Sequence, residues 1–131
     1  MLFAALAAAA PAGATTFTVT NTNDSGAGSL RAAMLAANAQ QVTGGTACAS
    51  HDIVFAIPGN APHIQPLGPL PPLQIPMRID AFTQPGSSPN TLPLGYNGIV
   101  GIELDGSLAG ATDAFVVNAL VPGGGFCGGA G

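Results

Sequence analysis

Residues 66–76 read PLGPLPPLQIP, with five prolines in eleven positions. Each proline fixes φ and offers no backbone N–H, so this stretch is excluded from a helix and from a central strand throughout. It reads as a stiff extended connection. The same interruption governs the rest of the chain, which holds 12 Pro and 19 Gly in 131 residues. Between these breakers lie only short apolar runs: Ile53–Ile57, His63–Gln65, Met77–Asp80, Ile99–Leu104 and Phe115–Val117. Pro-Gly, Gly-Ser, Asn-Gly and Asp-Gly pairs punctuate them, so short strands joined by turns are expected.

Two segments nearer the start carry clear periodicity. TTFTVTN at 15–21 alternates Thr with Phe17 and Val19, the pattern of a strand with one apolar face. After a turn-rich loop, SLRAAMLAAN places Leu30, Ala33, Met34 and Ala37 on one helix stripe. Ser29 is the expected N-cap and Asn38 the expected stop. A helix of about ten residues needs an apolar surface to lie on.

Only 6% of residues are charged, against about 25% in an average soluble domain. There is no Lys, the two basic residues are Arg31 and Arg78, and the net charge is −4. Nucleic acid and anionic membrane are excluded as partners on that balance. The opening MLFAALAAAAPAGA is expected to be a signal peptide cut after Ala14, or alternatively after Ala12, although no Arg or Lys precedes its apolar stretch. That stretch is too short to span a bilayer. Cys48 and Cys127 suit an oxidising compartment; they belong to no CxxC, and whether they pair with each other stays open. The glycine-rich end, VPGGGFCGGAG, reads as cut off.

Ile79-Asp80-Ala81 and Leu104-Asp105-Gly106 stand 25 residues apart, each followed by a glycine-containing turn. A spacing of about 20–30 residues suits one coil of a solenoid. The Asn97-Gly98 pair is a hairpin signal and keeps a β-sandwich as the alternative. The block order TFTVTNTNDSG, GSLRAAMLAAN, DIVFAIPG, IQPLGPLPPL, IDAFTQPG and IELDGSLAG, over residues 16–118, resembles the N-terminal region of bacterial secreted right-handed parallel β-helix proteins. Its first part is similar to the domain named for a Cys-Ser-Leu-Arg-Glu-Ala signature. Gly28 stands at the signature's Cys position and Ala32 at its Glu position, so a disulfide anchored there is absent. The resemblance implies an all-β extracellular β-helix. Residues 15–131 would then form a helical cap and the first coils, continuing beyond the chain's end. It implies no defined reaction.

The loop Gly26-Ala27-Gly28-Ser29 invites a phosphate reading, but it lacks the Lys of a Walker loop and the third Gly of a dinucleotide fingerprint. Gly28, Ser29, Leu30, Arg31 and Met34 are instead expected to be structural, with Arg31 binding carbonyls or a carboxylate such as Asp24 or Asp52. Asp80 and Asp105, if equivalent in successive coils, are candidate calcium ligands; Asx turns are the competing role. Calcium is the one ion these carboxylates suggest, and no other cofactor is indicated. Glu103 and Asp105 would share a strand face, with nothing further to support glycosidase chemistry. His51 and His63 lack metal-ligand spacing and are expected on loops or at the surface. No serine sits in a nucleophile elbow. Tyr96 is the one aromatic placed to stack a sugar. The expected function is a non-catalytic, adhesin-like scaffold, secreted or at the bacterial cell surface, meeting extracellular glycan or protein. The alternative is the leading part of a polysaccharide lyase or glycoside hydrolase with its active site further on. Oligomeric state is left open.

Overall fold

The computed structural model describes residues 14–40 and 50–118. The leader up to Gly13, Cys48 and Cys127 lie outside the described residues. The elements in chain order are β1 (Thr16–Val19), α1 (Leu30–Ala39), β2 (His51–Phe55), β3 (His63–Ile64), β4 (Met77–Asp80), a 3-10 turn (Ala81–Thr83) and β5 (Glu103–Leu104). Two small sheets form, one of order β1-β2-β4 and one of order β3-β5. All ladder pairs are parallel, with Phe17 facing Ile53, Ile53 facing Ile79, and Ile64 facing Leu104.

This arrangement overturns the expected all-β right-handed parallel β-helix, and the alternative β-sandwich with it. The fold is small and mixed: one helix and a few short parallel strands in two separate sheets. Neither a closed nor a solenoid sheet forms among the described residues. The reason lies in the breakers. Where a third wall would run, only an isolated bridge between Leu73 and Val117 is made. The flanking Pro71, Pro72 and Pro76 have no N–H to give to a ladder. Strands β3 and β5 stop at two residues each.

Helix α1 forms as its stripe dictates. Ser29 is extended at φ −79°, ψ 159°, and its Oγ accepts from the Ala32 N–H. Leu30, Ala33, Met34 and Ala37 are buried. The helix runs one residue past Asn38 and ends at Gln40, whose N–H donates to the Ala37 carbonyl. In β2 the side chains of His51, Ile53 and Phe55 point inward, and the alternation continues to Ile57. Val19, Leu30, Ala33, Met34, Ile53, Phe55, Ile57 and Ile64 make one core cluster. Burying each large member is worth roughly 1.5–3 kcal/mol.

The turn from β1 into α1 depends on Gly28. Its φ is +79°, where an L side chain is strained, and its carbonyl accepts from the N–H of Thr20 at 2.8 Å and Asn21 at 3.2 Å. A Cβ there would collide with the Thr20 hydroxyl and lie 2.6 Å from Asn21 Nδ2. The backbone therefore selects glycine where the resembled signature has Cys.

A second device completes β2. Its register with β4 ends at Val54–Asp80, because the chain then tightens into the 3-10 turn capped by Asp80 Oδ1 on the Phe82 N–H. Side chains take over from the missing strand. The Phe55 N–H donates to Thr83 Oγ1 at 2.8 Å, and that hydroxyl donates to the Asp80 carbonyl at 2.6 Å. Gln84, 1% exposed, accepts from the Ile57 N–H at 3.0 Å and donates to the Ile57 carbonyl at 2.7 Å. One amide side chain thus serves both backbone groups of Ile57, which would otherwise be buried without partners. Gln84→Leu strands both and is expected to destabilise the protein by about 2–4 kcal/mol. Urea unfolding checks this, with Gln84→Glu also destabilised because it loses the donor.

Candidate functional site

Among the described residues, several polar clusters and hollows offer places where chemistry could sit. The first cluster surrounds Arg31. Its Nη2 donates to Asp24 Oδ1 at 2.8 Å and to the Gly68 carbonyl at 3.1 Å; Nε donates to the Asp24 carbonyl at 3.1 Å, and Nη1 donates to the Pro69 carbonyl. Asp24 Oδ1 also accepts from the Leu67 N–H at 2.9 Å. Two turns further along the helix, Asn38 donates to the Pro72 carbonyl at 2.8 Å and accepts from the Gln74 N–H at 3.1 Å. Helix α1 therefore binds the proline-rich segment at two points and supplies the partners that prolines cannot supply to one another. Arg31 meets Asp24 and backbone carbonyls; Asp52 pairs elsewhere.

The second cluster lies on the three-stranded sheet. Arg78 Nε reaches Asp52 Oδ1 at 2.9 Å from its register position beside Asp52, and Arg78 Nη1 stands 3.5 Å from Asp80 Oδ2. The hydrogen bond and charge of Asp52, with the charge of Asp80, hold the Arg78 guanidinium protonated more firmly than usual.

The third cluster lies on the two-stranded sheet. Asp105 Oδ2 accepts from His63 Nε2 at 3.1 Å, Gln65 Nε2 at 3.0 Å and Ser107 Oγ at 2.9 Å, while Oδ1 accepts from the Ser107 N–H at 2.8 Å. It contains Ser, His and Asp, yet the order is wrong for nucleophilic catalysis. The hydroxyl donates to the carboxylate, and the imidazole binds that same carboxylate oxygen rather than the hydroxyl. Glu103, the register partner of His63, is exposed.

Asp80 thus ends β4 in one sheet while Asp105 follows β5 of the other, and each carboxylate is engaged in its own turn. No group of three His, Cys, Asp or Glu suited to a metal ion occurs among the described residues. His63 is exposed, but His51 departs from expectation: it is 1% exposed. Its Nδ1 accepts from the Thr15 N–H at 3.1 Å, so the Nε2–H donates to the Gln40 carbonyl at 3.2 Å. Alternation through HDIVFAI put His51 on the inward face of β2, a signal that was available in the sequence. Gln84 gave no such signal, since its role depends on where β4 stops.

The larger hollow, about 250 Å³, opens between the sheets against Leu30, Phe55, Ile64, Ile79, Ile102 and Phe115. The smaller, about 100 Å³, lies against Pro66, Leu70, Leu104, Thr112 and Asp113. Both fall below the roughly 300–1,000 Å³ of small-molecule sites. No family model matches the chain, and neither the curated proteins nor the solved structures offer a match.

The carboxylates of Asp24 and Asp105 are both held below the ordinary 3.8: the first mainly by the Arg31 hydrogen bond and then the Leu67 N–H, the second by Ser107 and then His63. A lowered folded-state value means stability that is present above about pH 4 and lost as pH falls through the folded value. Urea midpoints followed from pH 6 to pH 2 are expected to drop on the acid side, and Asp24→Asn is expected to lessen that drop while lowering the plateau at pH 6.

Proposed function

We propose that this chain is an exported, non-catalytic structural segment of a secreted or cell-surface protein of adhesin type, meeting extracellular glycan or protein. The observation that carries this reading is the use made of its two basic side chains. Arg31 is spent on Asp24 and the proline-rich carbonyls, and Arg78 on Asp52 and Asp80. With no Lys in the sequence, both of the basic side chains it does have are held in ties within the fold rather than left to neutralise an anionic substrate. The surface supports the same reading. It exposes Leu67, Leu94, Tyr96, Ile99 and Val117 among uncharged polar residues, a composition suited to spread contact rather than to one reactive pocket. Among the described residues no helix is long and apolar enough to cross a membrane. The leader-like opening supports export.

The test is expression of the whole chain in a bacterial host, followed by fractionation and assay of the product on a panel of polysaccharides. The expected outcome is recovery outside the cytoplasm with no release of reducing or unsaturated sugars. Retention of uncut chain in the cytoplasm, or polysaccharide turnover by the purified protein, would refute the proposal.

A further inference from the structure

Thr15 is gripped through each of its polar groups. Its N–H donates to His51 Nδ1 at 3.1 Å, its carbonyl accepts from the Asp52 N–H at 3.0 Å, and its hydroxyl donates to Gln40 Oε1 at 3.0 Å. The preceding residue, Ala14, is exposed. His51 is fixed in turn: Nε2–H points to the Gln40 carbonyl, and the ring lies edge-on to Phe17 with centroids 5.8 Å apart. A buried imidazole whose acceptor nitrogen faces the start of β1 thus joins that start to the end of α1 and the beginning of β2. The sequence independently leads us to expect the leader's cut between Ala14 and Thr15, with Ala12 as the second choice.

Resting on the export reading above, we infer that His51 and Gln40 form a seat for the α-amino group that this cut creates. A signal-peptidase-type protease breaks the Ala14–Thr15 amide with water. The hydroxyl goes to the Ala14 carboxyl and the proton to the Thr15 nitrogen, which then takes up a further proton from solvent. The resulting ammonium keeps its donation to His51 Nδ1, and a charged donor makes a stronger hydrogen bond than the peptide N–H it replaces. The leader leaves without disturbing the first ladder bond, because that bond uses the Thr15 carbonyl. Cleavage after Ala12 would instead place the new amine two residues upstream of the seat.

The absence of Lys makes the test specific, since the α-amine of the processed chain is its single primary amine. The whole chain is exported from a bacterial host, its cut is read by intact mass, and the native product is acylated with an N-hydroxysuccinimide ester. The expected result is a cut after Ala14 and acylation about 10-fold slower than in the same protein unfolded in guanidinium. His51→Leu is expected to abolish that protection, and His51→Asn, which keeps an acceptor, to retain part of it. Uncut, retained chain would overturn the export reading and the seat together. A cut after Ala12 would overturn the seat alone. So would a cut after Ala14 with native acylation as fast as unfolded, whether or not either variant folds.

Discussion

The structure depends on side chains that stand in for backbone wherever proline and the tight turns break the ladders. Gln84 gives Ile57 the pair of hydrogen bonds that a neighbouring strand would have given, and Thr83 inserts its hydroxyl between Phe55 and Asp80. Along helix α1, Arg31 and Asn38 do the same for a segment that has few N–H groups of its own. Unpaired buried backbone costs about 1–3 kcal/mol per group, comparable to burying one core side chain. Without these substitutions the short strands would lack the partners that keep β2 central.

That use of side chains has a consequence for chemistry. A chain with two arginines and six acids has few charges to deploy. Both arginines sit in ties between segments, and Asp24, Asp52, Asp80 and Asp105 each have partners close at hand. Ser29 and Ser107 are likewise taken up, one as a helix cap and one on Asp105. These polar side chains hold the fold, which is in keeping with the scaffold we propose.

Much of the local structure was legible. The helix stripe, its Ser29 cap and the β1 alternation follow from spacing alone, as does the extended proline-rich connection. The architecture was not. Repeated Ile-Asp and Leu-Asp turns suggested equivalent coils, but Asp80 ends a strand of one sheet and Asp105 follows a strand of the other, and the ladder that would close a solenoid is reduced to one bridge. Periodicity reports which face of a strand is buried; it does not report which strand lies beside it. His51 shows the remaining gap. Its inward position could be counted from Ile53 and Phe55, whereas its two partners, Thr15 and Gln40, are brought to it by packing of segments far apart in sequence.

Amide hydrogen exchange tests the central claim most directly. If side chains replace the missing strand, Phe55 and Ile57 should exchange within about tenfold of Ala56, whose N–H is bonded to the Val19 carbonyl across an ordinary ladder. Exchange of Phe55 and Ile57 near the unprotected rate, with Ala56 still protected, would contradict the account.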